Sequence, residues 1–212
     1  MKPRTYTLMP ALLSAALLLA PSAGAQGETP APQPPPAIPP KKMVTVLLKV
    51  LAMDQALTIR GEGDMVVAVP WEKGQEATRD ALMEIARAVE KELTFKKRAI
   101  RFVPIPLNTK GAPPFKEAVE KESATAILVP TGVSKAGLEA ITQVAKEEKI
   151  HTLAMDASQV EDWLTVGLIP DENKMKVVLN ANCVRAAGGF FEVALLKVAK
   201  IYHFAKEKPP SP

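Results

Sequence analysis

The sequence predicts an α/β fold, a mostly parallel sheet flanked by helices on both faces, with an antiparallel C-terminal edge hairpin and a long C-terminal helix. Short, continuous apolar segments alternate along the chain with amphipathic segments of helical period. That alternation is typical of parallel strands buried between two helical layers. Near the C-terminus, Pro170-Asp171-Glu172-Asn173 separates two apolar runs, which predicts the antiparallel hairpin.

The predicted elements follow in a regular order. A first helix covers 42–58, where Val46, Val50, Met53 and Leu57 share one face, and two glycines at 61 and 63 end it. Strands are predicted at 65–69, 99–103, 124–129 and 150–154, and helices at 75–92, 115–121, 134–148 and 158–163. The hairpin strands cover 166–169 and 174–179, and four strands are predicted to end at the prolines 70, 104, 130 and 170.

The C-terminal segment carries an apolar stripe at three- and four-residue steps, which predicts one helix over 184–202. The stripe consists of Val184, Ala187, Gly188, Phe191, Leu195, Val198 and Tyr202. Asn180 is expected to cap this helix. A glycine inside a helix costs about 1 kcal/mol relative to alanine, so we expect another backbone to approach Gly188 closely and Gly188→Leu to destabilise by overpacking. Asn180, Cys183, Gly188 and Phe191 are therefore structural or interface candidates.

The N-terminal residues have the pattern of a targeting signal. Lys2 and Arg4 precede a short apolar run at 11–20, and Ala23-Gly24-Ala25 matches a small-residue cleavage site. A signal peptide is predicted at 1–25, with an uncleaved membrane anchor as the alternative. Residues 26–41 form a proline-rich linker, either a spacer or a docking segment, and a disordered tail is expected at 205–212. One domain is predicted over 42–204.

Charge and cysteine content narrow the class of protein. The chain has 27 basic and 23 acidic residues, and removal of Lys2 and Arg4 lowers the net charge from +4 to +2. Nucleic-acid binding is not expected, because lysines and glutamates are interspersed rather than clustered by sign. Cys183 is the only cysteine, so an internal disulfide is excluded. It is either a small buried apolar residue or, at a helix start that lowers its pKa, a reactive or intermolecularly bonded thiol.

No catalytic motif is present in the sequence. A nucleophile elbow, a phosphate-binding loop, a metalloprotease motif and a dinucleotide fingerprint are all absent. The two histidines, His151 and His203, are far apart in the sequence, and His151 is expected to be a satisfied structural residue. The chain offers too few histidines and cysteines for a metal site. The sequence therefore predicts a protein that is not an enzyme and holds no metal or cofactor.

The best candidate for ligand binding is positional. In open α/β sheets, ligands lie beyond the carboxyl ends of the strands, where this chain places Trp71, Thr131, Ser134 and Asp156. One interpretation makes these four residues the rim of a small-ligand site, with helix amides holding an anion. The other is that they serve only turns and helix caps, with Ser134 and Ser158 as N-caps.

The C-terminal motifs resemble those of the YfiR/HmsC-like family of exported bacterial proteins. The matching residues are Val178-Leu179-Asn180, Ala186-Ala187-Gly188 and Leu195-Leu196-Lys197-Val198-Ala199, in register without gaps. The first predicted helix, followed by a strand with Trp71 nearby, is similar as well. The resemblance extends over about residues 42–203, and its last third carries the motifs.

The resemblance implies a periplasmic regulator that is not an enzyme. Such a protein would bind, and repress, the periplasmic domain of an inner-membrane diguanylate cyclase in cyclic-di-GMP signalling. It also implies a small domain that self-associates, so a homodimer is expected, without membrane-embedded segments. The alternative function is a periplasmic solute-binding module, because one lobe of such proteins has the same alternation of strands and helices.

Overall fold

The structure is a computed structural model that describes residues 38–59, 63–107, 111–171 and 174–203. The predicted signal peptide, most of the linker and the C-terminal tail lie outside the described residues. The helices are α1 Pro40–Leu51, α2 Ala56–Ile59, α3 Glu76–Glu92, α4 Ala112–Lys121, α5 Lys135–Glu147, α6 Ala181–Ala186 and α7 Val193–Val198, with a 3-10 helix at Ala157–Val160. The strands are β1 Met65–Glu72, β2 Ile100–Leu107, β3 Ala126–Val129, β4 His151–Ala154, β5 Val166–Asp171, β6 Lys174–Asn180 and β7 Lys200–Tyr202.

The seven strands form one sheet in the order β2-β1-β3-β4-β5-β6-β7. Every neighbouring pair is parallel except β5 and β6, which are antiparallel. The prediction of a mostly parallel sheet with an antiparallel pair is therefore confirmed. The pair does not form the edge of the sheet, because β7 lies beside β6 and occupies the edge itself.

Alternate residues of the central strands enter two separate cores, one on each face of the sheet. Val67 and Leu128 belong to the core beneath α1 and α3, whereas Ala68 and Ile127 belong to the core beneath α4 and α5. All four side chains are fully buried. Both faces are covered by helices, which is why the strands read as continuous apolar runs.

The first predicted helix is two helices with a break between them. α1 begins at Pro40, where a proline fits the first helical turn, and it ends at Leu51. Asp54 then accepts a hydrogen bond from the amide of Ala56 at 3.0 Å. A side chain that bonds its own backbone in this way competes with the helical ladder, so the helix stops and restarts at α2.

Prolines do not end most of the strands that contain them. β1 continues through Pro70, β2 through Pro104 and Pro106, and β5 through Pro170. β2 is an edge strand, and an edge tolerates missing amide donors. β1 pairs with β3 only at Val67 and Ala68, so Pro70 lies beyond that ladder. Only the prediction for Pro130 is correct, since β3 ends at Val129.

The long C-terminal helix predicted over 184–202 is wrong. α6 ends in a Schellman motif in which the amides of Gly188 and Gly189 donate to the carbonyls of Arg185 and Val184, each at 2.9 Å. Gly188 has φ 61°, the left-handed conformation that this motif requires. The chain then forms a bridge at Phe191, the short α7 and β7. Gly188 is therefore a helix terminator and not a point of close backbone packing.

Candidate functional site

A pocket of about 550 Å³ opens at the carboxyl ends of β3 and β4. It lies between the start of α1 and the first half of α3. Its lining consists of Ile38, Pro40, Met43, Ala77, Thr78, Ala81, Leu82, Ile85, Pro130, Thr131 and Met155. The volume falls in the range of small-molecule sites in proteins. The carboxyl ends of parallel strands are also where open α/β sheets bind their ligands.

Small side chains on α3 leave room for the pocket. Ala77 and Ala81 are exposed on this helix, one turn apart, while Leu82 is buried beside them. Across the pocket, Met43 belongs to the first turn of α1, where its amide donates to the Pro39 carbonyl at 2.9 Å. The pocket thus lies between two helices that both pack on the same face of the sheet.

The chemistry of the lining is apolar. Among its residues, the side chains that can form hydrogen bonds are Thr78 and Thr131, and none is charged. Nearby polar groups are bonded elsewhere, since Gln75 Nε2 donates to the Gly132 carbonyl at 2.5 Å and Lys41 Nζ contacts Glu92 Oε1 at 2.6 Å. The pocket therefore presents hydrocarbon surface with two hydroxyl groups.

The four residues predicted as a rim are not brought together. Of these, Thr131 alone lines the pocket. Trp71 belongs to a different cavity beside β2, where the Arg79 guanidinium lies 4.5 Å from the ring centroid. This contact is a cation–π interaction that stabilises a surface side chain.

Ser134 and Asp156 act as helix caps. Ser134 Oγ accepts the amide of Gly137 at 3.1 Å, which confirms it as the N-cap of α5. The Ser134 amide donates to Glu72 at 2.9 Å, so a carboxylate of the chain itself occupies the position predicted for an anion. At the 3-10 helix the cap is Asp156, which accepts the Ser158 amide at 3.0 Å, and not Ser158 as predicted.

Asn180 is an N-cap as predicted, but of the short α6 and not of a long C-terminal helix. Its buried side chain accepts the amides of Asn182 and Cys183 at 3.0 and 3.1 Å. Its side-chain nitrogen, Nδ2, donates to the carbonyls of Val160 and Glu161 at 2.9 and 2.8 Å. Asn180 thus joins the end of β6, the start of α6 and the segment after the 3-10 helix.

Of the two alternatives for Cys183, the structure supports a structural residue, and its side chain is partly buried. Its thiol donates to the carbonyl of Trp163, with Sγ 3.4 Å from the oxygen. Burial raises the pKa of the Cys183 thiol, and the charge of Lys146 opposes this only in part. The alternative of a reactive thiol with a lowered pKa is therefore not supported.

A buried polar cluster lies at the opposite ends of the strands, where β4 begins. His151 Nε2 and Asp54 Oδ2 are 2.8 Å apart, and both side chains are fully buried. Asp54 Oδ1 accepts the amide of Phe190 at 2.6 Å, and the ring of Phe191 lies 5.4 Å from that of His151. His151 is only half satisfied, because its Nδ1 has no hydrogen-bond partner among the described residues.

Neither the role of Asp54 nor the pocket is predicted by the sequence analysis. Asp54 lies inside the predicted first helix, where a lone aspartate reads as a polar surface residue. The pocket residues of α3 are Ala77, Thr78, Ala81, Leu82 and Ile85, which carry no chemical signature. One partner of the Asp54 side chain, the amide of Ala56, is close in sequence. The other two partners, His151 and Phe190, are distant in sequence.

Metal-ligand clusters and membrane-spanning helices are absent from the described parts of the chain. There, no group of three or more histidine, cysteine, aspartate or glutamate side chains could hold a metal ion. No helix among those residues has the length and apolar character needed to cross a bilayer.

Comparison with solved structures identifies the class of fold. An ABC domain in complex with L-Trp from Streptococcus pneumonia superposes with a TM-score of 0.55 and 12% identity, covering 77% of this chain and 62% of that one. A conserved domain protein from Vibrio cholerae gives 0.56 and 15%, covering 77% and 60%. The ligand-free, open form of a substrate-binding protein with adhesive properties from Clostridium difficile gives 0.51 and 12%, covering 69% and 57%.

These similarities show the fold, and the chain spans about three fifths of the length of each of these proteins. The α/β fold of this chain is thus shared with these three proteins, one of which is described as a substrate-binding protein. No protein-family model matches the chain, and no curated protein matches it in sequence.

Proposed function

We propose that this domain is a small-ligand binding module and not an enzyme. The observation that carries the proposal is the 550 Å³ pocket, which lies at the carboxyl ends of two adjacent parallel strands. Its position agrees with the general rule for ligand sites in open α/β sheets. The fold shared with a substrate-binding protein and with a domain in complex with L-Trp supports the same function. The shared fold and the signal peptide predicted at 1–25 together favour a protein that is exported to the periplasm and binds a solute there.

A ligand screen with a pocket-filling variant tests this proposal. The thermal midpoint is measured against a mixed library of amino acids, organic anions, organic cations and neutral compounds. At least one class should raise the midpoint of the wild-type protein, and Ala81→Trp should abolish the shift by occupying the pocket. Ala136→Trp is the control, since Ala136 is exposed on α5 outside this pocket. Equal shifts in both variants, or none in the wild type, contradict the proposal.

A second candidate function is regulation by binding a membrane protein, as the resemblance to the YfiR/HmsC-like family implies. The supporting observation is a cluster of exposed apolar side chains on one segment, Phe190, Val193, Leu196 and Val198, whose exposed fractions are 63%, 63%, 38% and 65%. Scattered apolar side chains are normal, but four within nine residues suggest a contact surface. The partner would be the periplasmic domain of an inner-membrane signalling protein of the diguanylate cyclase type.

Cross-linking in cells, followed by recovery from membranes, tests this second function. An inner-membrane signalling protein should be recovered with the wild type and lost with Phe190→Ser and Val193→Ser combined. Lys135→Ser, on the exposed start of α5, should leave recovery unchanged. If the chain cross-links to no membrane protein, this function is contradicted. Cross-links to a second copy would assign the surface to a homodimer instead.

A further inference from the structure

We infer that the ligand of the pocket is an uncharged molecule with an apolar body, an inference that rests on the proposed small-ligand function. The first argument is the absence of counter-charge. None of the lining residues carries a charge. Removing a charged group from water costs several kcal/mol unless it is paired. A zwitterionic amino acid would leave both its ammonium and its carboxylate unpaired among these lining residues.

Two polar groups next to the pocket already contact other residues. Lys41, beside Pro40, has its Nζ 2.6 Å from Glu92. Gln75, which precedes α3, donates its side-chain amide to Gly132 at 2.5 Å. A neutral ligand leaves both contacts intact.

The walls of the pocket suit a flexible or aromatic hydrocarbon surface. Met43 and Met155 come from opposite sides, from α1 and from the end of β4. Methionine side chains adapt to irregular shapes and contact aromatic rings favourably. Release of water from these apolar walls is the expected driving force for binding.

Two hydroxyl groups define the polar part of the ligand. Thr78 lies on α3 and Thr131 follows β3, so they line the pocket from different elements. A hydroxyl both donates and accepts a hydrogen bond. The ligand class that fits is therefore a neutral compound with one or two hydroxyl, carbonyl or ether groups on an apolar body.

A matched pair of fluorescent probes tests the ligand class. N-phenyl-1-naphthylamine is neutral, and 8-anilinonaphthalene-1-sulfonate has the same aromatic skeleton with one negative charge. The wild-type protein should bind the neutral probe at least about tenfold more tightly, a difference of about 1.4 kcal/mol. Ala81→Trp should abolish that binding, which distinguishes the pocket from the exposed apolar surface at residues 190–198.

Placing a charge in the wall should reverse the preference. Ala81→Lys is expected to shift the ratio of the two dissociation constants about tenfold or more toward the anionic probe. Ala136→Lys, on the exposed surface of α5 outside the pocket, should leave the ratio unchanged within about twofold. Neither lysine variant removes a buried group, so both are expected to fold.

The outcomes separate this inference from the proposed function. If the wild type prefers the anionic probe, or if charged library members bind and Ala81→Trp abolishes their binding, the ligand class is wrong while the binding function stands. If neither a library member nor a probe binds in a manner sensitive to Ala81→Trp, both fail. A neutral preference that Ala81→Trp abolishes and Ala81→Lys reverses supports the inference.

Discussion

Asp54 and His151 form a fully buried carboxylate–imidazole pair, with Oδ2 and Nε2 2.8 Å apart, although 97 residues separate them in the chain. The same carboxylate accepts the amides of Ala56 and Phe190. One side chain therefore connects the corner between α1 and α2, the start of β4 and the segment that follows α6. The first predictions concern this connection.

Asp54→Ala should lower the free energy of unfolding by about 3–5 kcal/mol. The substitution leaves the His151 ring and the Phe190 amide buried without their acceptor, and removing one partner of a buried pair is costly for that reason. Urea denaturation followed by circular dichroism measures the change. Asp162→Ala is the control, because Asp162 is exposed and should cost less than about 0.5 kcal/mol. Equal costs for the two variants would show that the buried contact is unimportant.

The contribution of Asp54 should disappear in acid. Burial raises the pKa of Asp54, but hydrogen bonds from His151 and the amides of Phe190 and Ala56, with the charge of His151, hold it below its ordinary value. A carboxyl whose pKa is lower in the folded state binds its proton more readily when unfolded. Its stabilisation is therefore complete above the unfolded pKa of about 3.9 and is lost as pH falls through the lower folded value.

Urea denaturation of the wild type and Asp54→Asn between pH 6 and pH 2 measures this loss. The difference between the two proteins should be constant from pH 6 to about pH 5 and should shrink below about pH 4. Lys96 contacts the Asp54 backbone, its Nζ lying 3.3 Å from the Asp54 carbonyl. A difference that grows as pH falls would contradict the direction of the shift.

Alanine substitutions at Gly188 and Gly189 should destabilise the protein for different reasons. Gly189→Ala places a methyl group against the imidazole of His151, which is held by Asp54 and cannot move freely. We expect a loss of about 1–3 kcal/mol from overpacking. Gly188→Ala instead strains a residue with φ 61°, at a cost of about 1 kcal/mol.

Combining each glycine variant with His151→Ala separates the two causes. Removing the ring should relieve part of the cost of Gly189→Ala and none of the cost of Gly188→Ala. The coupling energy from the double-mutant cycle is the measured quantity. A coupling of similar size for both glycines would contradict the assignment.

Asn180→Ala should destabilise the protein by about 2 kcal/mol or more. The substitution removes an N-cap, worth about 1 kcal/mol. It also removes the side-chain donor to the carbonyls of Val160 and Glu161, of which the second is also contacted by His203 Nε2 at 2.7 Å. Chemical denaturation measures the loss. Asn182→Ala is the control, since Asn182 is exposed on α6 and should change stability little. A similar result for both variants would remove Asn180 from its proposed structural role.

The Cys183 thiol should react slowly. Burial raises its pKa above the ordinary value, so a smaller fraction is thiolate at neutral pH than in the unfolded chain. Alkylation by iodoacetamide at pH 7.5 should therefore be several-fold slower in the folded protein than in urea. A faster rate in the folded state would restore the reactive-thiol interpretation.

The sequence predicted the sheet well because its signal is local. Val67 and Leu128 lie within short apolar runs, and such runs identify buried strands wherever they occur. The strand ends predicted at Pro70 and Pro104 are wrong because a strand tolerates a proline according to which of its sides is paired. That information comes from the order of strands in the sheet, not from neighbouring residues.

The C-terminal segment shows a different limit of sequence reasoning. The apolar stripe at 184–202 has helical spacing, yet Gly188-Gly189 is also the common signal for the end of a helix. The helix ends at the two glycines, and the apolar residues that follow lie in a bridge, a short helix and a strand. Thr131, one of the four residues predicted as a rim, lines the pocket, but the other lining residues are mostly apolar and carry no recognisable motif.

The long sequence separation between Asp54 and Phe190, 136 residues, also bears on how the chain acquires its structure. The corner after α1 is synthesised early, but its carboxylate gains its last partners only when residues 151 and 190 are present. Contacts of such separation form late and slow the folding of a domain. A chain shortened before residue 190 should therefore lack the Phe190 amide and the bridge between Asp54 and Phe191, and it should aggregate or be degraded rather than persist as a smaller stable domain.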